Sequence, residues 1–159
     1  MQNETPRSVR DGQATARGPR LGLLDTLLGY HLRRAQVAVF QHFAGTVGIA
    51  GVTPGQLGVL AVIDANPGLS QTRLGAVLGI DRSTVVGMID GLEARGLVLR
   101  QAAPHDRRSH ALQLSAAGVA MLRRLEETVR AHEDVIAAAL SPAERRQLIE
   151  LLRRVAPGD

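Results

Sequence analysis

A mainly α-helical fold with one small β-hairpin is predicted by three features of the sequence. Apolar residues recur at spacings of three and four in two long stretches, residues 21–47 and 116–139, the period of an amphipathic helix. Four segments open on a hydroxyl side chain, at Thr53, Ser70, Ser115 and Ser141, placed where a helix needs an N-cap. One stretch alone, residues 97–114, alternates apolar and polar side chains around a polar centre, which is how a hairpin reads.

Composition narrows the class. A chain of 159 residues with 45% hydrophobic content can bury a proper core, and 2% aromatics means that core is built from Leu, Val, Ile and Ala. All 19 basic residues are Arg, set against 15 acids, so the net charge of +4 permits a polyanionic partner without demanding one. The absence of Cys excludes disulfides, thiolate metal sites and thiol redox sensing. No apolar run reaches the roughly 18–20 residues of a membrane span, and the N-terminus lacks a signal-peptide pattern. The expectation is a cytoplasmic protein with no membrane contact.

Taken in order, residues 1–20 are polar, contain Pro6, Pro19, Gly12 and Gly18, and carry no hydrophobic period, so a disordered arm is expected. From Leu21 to about Val47, Leu24, Leu28, Leu32, Ala35, Val39 and Phe43 form one apolar stripe of a long helix. It is too apolar for a freely solvated helix and calls for a second long helix or a second chain. Thr53-Pro54-Gly55-Gln56 is a capping box with proline at the first helical position, and Asn66-Pro67-Gly68 ends that helix. Ser70 caps a short helix whose buried face is Leu74, Val77 and Leu78. Gly79 suits the left-handed position that closes it, and Ile80 fills the inside of the turn. Asp81 or Ser83 caps the next helix, with Val85, Ile89 and Leu92 inward and Gly96 at its end.

Strands are expected over residues 97–102 and 109–114, with a charged tip, Ala103-Pro104-His105-Asp106-Arg107-Arg108, between them. Ser115 then caps a helix of about 25 residues carrying Val119, Leu122, Leu125, Val129, His132, Ile136 and Ala139 on one face. Ser141-Pro142-Ala143-Glu144 is a second capping box, opening a last helix with Leu148, Leu151, Leu152 and Val155 inward. Two short helices with a tight turn, followed by a hairpin, make a winged helix-turn-helix flanked by long helices.

That frame points to double-stranded DNA. A recognition helix needs short polar side chains near its N-terminus, where base edges come within reach, and Arg82, Ser83 and Thr84 stand there. Val85 or Met88 is placed to meet a thymine methyl. Ser70, Gln71 and Arg73 open the preceding helix and are candidates for backbone phosphates, as is the helix N-terminus itself. Arg107 and Arg108 at the hairpin tip supply the slim cation a narrow minor groove attracts. The plainer reading of these residues is a solvated surface, with Asp106 pairing one of the arginines internally.

The motifs Leu78-Gly79-Ile80-Asp81-Arg82-Ser83-Thr84-Val85, Leu92-Glu93-Ala94-Arg95-Gly96-Leu97-Val98, Asp106-Arg107-Arg108-Ser109 and Leu112-Gln113-Leu114-Ser115-Ala116-Ala117-Gly118 together resemble the MarR family of bacterial transcription regulators. The resemblance runs from about Leu21 to Val155. It implies a homodimer whose first and last helices interlock over a pseudo-palindromic operator, with repression as the usual outcome. It divides the chain into helical dimerisation elements, residues 21–52 and 116–159, around a DNA-binding domain, residues 53–115. It also implies that Asp106 orients Arg108 into the minor groove. Gly87 departs from the pattern, standing where some relatives carry a base-contacting Arg, which shifts weight towards Ser83, Thr84 and the wing.

Effector control follows from the same resemblance. The stretch Leu28 to Phe43 is similar to family members that respond to aryl- or hydroxycinnamoyl-CoA esters. A small aromatic acid or aryl-CoA is therefore the expected ligand, with Arg33 or Arg34 meeting a carboxylate or phosphate and Tyr30 or His31 a phenol. The alternative is that these four residues line a dimer seam and that the protein is a ligand-independent or architectural DNA binder. Residues 69–115 hold six Arg against four acids, a modest excess for a sequence-indifferent binder. An enzyme is not expected: Asp106, Ser109 and His110 are neighbours in sequence, which is not triad geometry, and no phosphate loop or HExxH is present. His42 and His132 read as helix-interface residues, no metal site is expected, and no cofactor is called for.

Overall fold

The structure, a computed structural model, describes residues 19–103 and 106–156, and the side chains of residues 102–110 lie outside what is described. The expected N-terminal arm, apart from Pro19 and Arg20, falls outside the described residues, as do the side chains of Asp106, Arg107 and Arg108. The chain divides into two compact units, residues 1–35 and 36–159.

In the first unit the helix expected from Leu21 starts later. Gly22 takes a left-handed φ of 57°, a conformation open to glycine at little cost. A 3-10 turn follows over Gly22–Thr26, and Leu27 is extended. Only then does α1 (Leu28–Gly45) begin. Thr26 Oγ1 donates to the Leu23 carbonyl at 3.1 Å and the His31 ring pairs with the Asp25 carbonyl at 2.9 Å, which ties the turn to the first helical residues. Leu21, Leu23, Leu24, Leu27 and Leu28 are all exposed.

The second unit holds the remaining elements: the end of α1, a 3-10 turn (Val47–Ala50), α2 (Pro54–Ala65), β1 (Leu69–Ser70), α3 (Gln71–Leu78), α4 (Arg82–Ala94), β2 (Val98–Ala103), β3 (Asp106–Leu114), α5 (Ala116–Ile136) and α6 (Pro142–Val155). The fold is mainly α with a small winged sheet. Each predicted cap is formed: Thr53, Ser70, Asp81, Ser115 and Ser141 accept from the backbone N–H three residues on, and the boxes Thr53–Gln56 and Ser141–Glu144 are complete. Of the two cap candidates for α4, Asp81 is the cap.

The sheet has three antiparallel strands in the order β1-β3-β2. β1, two residues long, pairs Leu69 with Leu112 and Ser70 with Ala111 and was not foreseen. β3 starts at Asp106, so residues 106–108 belong to a strand rather than to the tip, and the β2–β3 register shifts between Ala102 and Ala103. The core gathers Val59, Leu60 and Ile63 of α2, Leu74 of α3, Val85, Ile89 and Leu92 of α4, Val98 and Leu112 of the sheet, and Leu125 of α5. Burying each such side chain stabilises the fold by roughly 1.5–3 kcal/mol.

Inward assignments on three helices are corrected. Val77, expected on the buried face of α3, is 61% exposed. Ile136, at the last turn of α5, is exposed. Leu148, Leu151, Leu152 and Val155 of α6 are exposed as well, and α6 contains no buried residue. Its apolar row is real, but among the described residues no element covers it.

Candidate nucleic-acid interface

The helix-turn-helix is held by two glycines. At Gly75 a Cβ would stand 3.0 Å from the Ile80 carbonyl oxygen and 3.1 Å from Val85 Cγ2, so a larger residue would push α4 away from α3. Gly79 closes α3 with φ +63°, and its N–H bonds to the Ala76 carbonyl at 3.2 Å. Asp81 then starts α4. Its Oδ1 accepts from the Thr84 N–H at 3.0 Å and from the Ser83 hydroxyl, and its Oδ2 accepts from Thr84 Oγ1 at 2.6 Å. The Ser83 hydroxyl bond first, then those from Thr84, hold the Asp81 carboxyl well below the usual carboxylate range.

Arg82, Ser83 and Thr84 are exposed together at this tip, as the recognition-helix expectation requires. Gly87 follows on the same helix and is exposed, with nothing within 4 Å of the position a Cβ would take. Val85 is corrected: it is fully buried between the helices and offers no methyl to a groove. Met88 is half-buried and packs on the core, its Cε 2.8 Å from the position a Cβ on Gly55 would occupy, so it too belongs to the packing.

One functional residue escaped sequence reasoning. Arg100 of β2 reaches across α4, bonding Asp90 at 2.5 Å and Glu93. With its oxygen turned towards Arg100, the Gln71 carboxamide accepts from Nε at 2.9 Å and Nη2 at 3.0 Å. A single planar guanidinium thus fixes the wing strand to α3 and α4 at once, a role its fork geometry suits. Burial by itself would lower the affinity of Arg100 for its proton; the two carboxylates outweigh that and raise its pKa. Gln71, expected at a phosphate, is committed to this bridge. Ser70 Oγ caps α3 through the Arg73 N–H at 3.3 Å, and the Arg73 side chain is exposed. The other close junction lies at the start of α5, where Ser115 Oγ donates to the Gly96 carbonyl at 2.5 Å and the Ser115 N–H bonds the Leu97 carbonyl at 3.0 Å.

Away from the tip, an apolar cleft of about 530 Å³ is lined by Phe40, Phe43, Ala44, Gly48, Gly51, Val52, Thr53 and Pro54. It holds both phenylalanines of the chain, and its volume is that of a small-molecule site. Behind Phe43, His132 is buried and its Nδ1 lies 2.6 Å from His42 Nδ1, the two rings stacked at 4.9 Å. Burial, then the field of His42, lowers the His132 pKa against the opposing pull of Glu133. The candidate ligand residues belong to the first unit. His31, Arg33 and Arg34 are exposed and Tyr30 is half-buried, with the Arg34 guanidinium 5.8 Å from the Tyr30 ring centre, a cation–π contact. Among the described residues no group of three His, Asp or Glu is placed to hold a metal, and no helix is long and apolar enough to cross a membrane.

Comparison with known proteins gives a consistent picture. A MarR family model matches residues 50–109. A protein of Thauera aromatica, described as a transcriptional regulatory protein for the hcr operon, is 46% identical over 129 residues, covering 80% of this chain and 78% of that protein. The transcriptional repressor CouR, solved on a 23-mer DNA duplex, superposes with a TM-score of 0.83 at 42% identity, covering 88% of this chain and 99% of CouR. CouR has also been solved with p-coumaroyl-CoA, a structure that matches at 40% identity and a TM-score of 0.79 over 88% of this chain and 99% of that one. The PcaV transcriptional regulator of Streptomyces coelicolor, solved with its natural ligand, matches with a TM-score of 0.77 at 32% identity, covering 84% of this chain and 94% of PcaV.

Proposed function

The chain belongs to the MarR family of transcriptional regulators, and from that premise we propose that it is a homodimeric repressor that binds a pseudo-palindromic operator in double-stranded DNA and is released by a small aromatic acid or aryl-CoA. Residues 53–115 form the DNA-binding domain, and residues 21–52 and 116–159 form the dimerisation region. The observation that carries this reading is the tip of α4, where Arg82, Ser83 and Thr84 stand exposed on a helix otherwise sunk in the core by Val85, Ile89 and Leu92. Arg82 reaches bases or phosphates, Ser83 and Thr84 read base edges, and Ser70 and Arg73 hold the backbone. Arg107 and Arg108, with Asp106 orienting Arg108, enter the minor groove. Such a partner places the protein in the cytoplasm.

Dimerisation is supported by the uncovered apolar rows. Five residues of α6, namely Leu148, Ile149, Leu151, Leu152 and Val155, are between 39% and 51% exposed, a patch that a monomer in water would not keep without a use for it. Effector control is supported by the aromatic cleft and by the ligands named for CouR and PcaV. Tyr30, His31, Arg33 and Arg34 are the residues of the first unit assigned to that ligand.

The test is selection of duplexes from a randomised pool, followed by displacement with p-coumaroyl-CoA, free p-coumarate and CoA alone. An inverted repeat is expected, released by the thioester or the acid and untouched by CoA. Failure to enrich any sequence would overturn the operator reading. Enrichment without release by either aryl compound would leave the ligand-independent alternative in place.

A further inference from the structure

The exposed tip of α4 carries two hydroxyls, and their hydrogen-bond polarity is set by a neighbour. Ser83 Oγ and Thr84 Oγ1 each bond a different oxygen of the Asp81 carboxylate. An ionised carboxylate accepts and cannot donate, so in both bonds the proton is the hydroxyl's own. Each hydroxyl has one proton, and both are spent on Asp81. What remains facing solvent is lone pairs.

We propose that Asp81 is a specificity-determining positioning residue: by taking both hydroxyl protons it makes Ser83 and Thr84 hydrogen-bond acceptors only, so that the tip of α4 selects bases presenting an amino group over bases presenting a keto oxygen. In the major groove the amino donors are adenine N6 and cytosine N4, while thymine O4 and guanine O6 and N7 are acceptors. An adenine or cytosine edge finds an acceptor at Ser83 or Thr84. A guanine or thymine edge meets oxygen lone pairs and a carboxylate charge, and both sides are left without a partner. The other two acids of α4, Asp90 and Glu93, are occupied by Arg100, and Gly87 adds no side chain. Asp81 is thereby the acid whose charge bears on the bases. Its carboxyl is held ionised by the same bonds, so the polarity persists across the working pH range.

This inference rests on the reading of α4 as the recognition helix, and the experiment separates the two. Base preferences are measured by selection from a randomised duplex pool for the wild type, Ser83→Ala with Thr84→Ala, and Asp81→Asn. Asparagine caps a helix as well as aspartate does, yet its NH2 group must donate to one hydroxyl, which frees that hydroxyl's proton to face the groove. The wild type is expected to favour A or C over G or T by about ten-fold at one or two positions of each half-site. The double alanine variant loses that discrimination, and Asp81→Asn accepts G or T at the same positions while its melting temperature stays close to wild type. Asp81→Ser, a second competent cap without the charge, is expected to relax the preference likewise. Positions sensitive to the alanines but unchanged in Asp81→Asn and Asp81→Ser would overturn the proposal and leave the recognition helix standing. No position sensitive to the alanines would overturn the proposal, and the recognition-helix reading falls with it if Arg82→Ala also leaves every base preference unchanged.

Discussion

Replacing Arg100 with alanine removes a side chain that joins the strand β2 to both α3 and α4. The expected loss of stability follows from what surrounds it. The Arg100 side chain is 19% exposed, but its partners Asp90 and Glu93 are 58% and 39% exposed. On its removal those carboxylates are rehydrated rather than stranded, so the large penalty of a buried unpaired charge does not apply. Two partly exposed pairs contribute about 0.2–1 kcal/mol each, and the Gln71 bonds about 1 kcal/mol. The sum is about 1–3 kcal/mol, or about 2–4 °C in melting temperature per kcal/mol for a chain of this size. That leaves nearly all molecules folded at room temperature. DNA binding is expected to suffer more, because α4 then carries two uncompensated negative charges towards a phosphate backbone and the wing is free to shift. A loss of ten-fold or more is expected at low salt, shrinking as salt screens the repulsion. Arg100→Lys keeps the charge without the planar fork and should fall between. The assay is thermal denaturation paired with fluorescence anisotropy on a selected duplex at two salt concentrations. An Arg100→Ala protein that melts and binds like the wild type would refute the bridging role.

Other substitutions probe separate parts of the molecule. Gly118→Ala places a Cβ 2.1 Å from the Leu97 carbonyl oxygen, a backbone atom that cannot swing aside, and should cost at least about 1–3 kcal/mol in chemical denaturation. The depressed pKa of His132 means the folded state favours the neutral ring. Stability from this site is therefore complete above about pH 6.5, the unfolded value, and is lost as pH falls through the lower folded value. Urea midpoints measured against pH should show that acid-side decline, and His132→Gln should flatten it. Arg108→Ala should weaken operator binding by roughly 1–3 kcal/mol at fixed salt, with no change in melting temperature.

What could be read from the sequence was chemistry settled within a few residues. Thr53, Ser70, Ser115 and Ser141 announce helices because a hydroxyl meets an N–H three residues away, and Gly79 announces a left-handed turn because few other residues enter it. Features that depend on distant partners were hidden. β1 is two residues whose strand character exists only through Leu112 and Ala111. Arg100 looked like any strand arginine because residues 71, 90 and 93 converge on it only in three dimensions. The apolar row of α6 was legible, but its direction was not: periodicity reports that a face is apolar, and says nothing of whether the same chain covers it. In the sequence Val85 reads both as a core residue and as a DNA contact, and its packing beneath Gly75 decides for the core. The 3-10 turn before α1 was missed because the leucines around Gly22 fit a helical stripe, while the backbone at Gly22 and Leu27 does not.

On the proposed function, two copies of this chain read two half-sites on one face of DNA. Inserting about five base pairs between the half-sites of a selected duplex turns one of them by half a helical turn. Sedimentation and binding are measured on both duplexes. Two chains on the original duplex and a collapse of affinity on the lengthened one are expected of that arrangement. A single chain per duplex, or equal affinity for both, would contradict it.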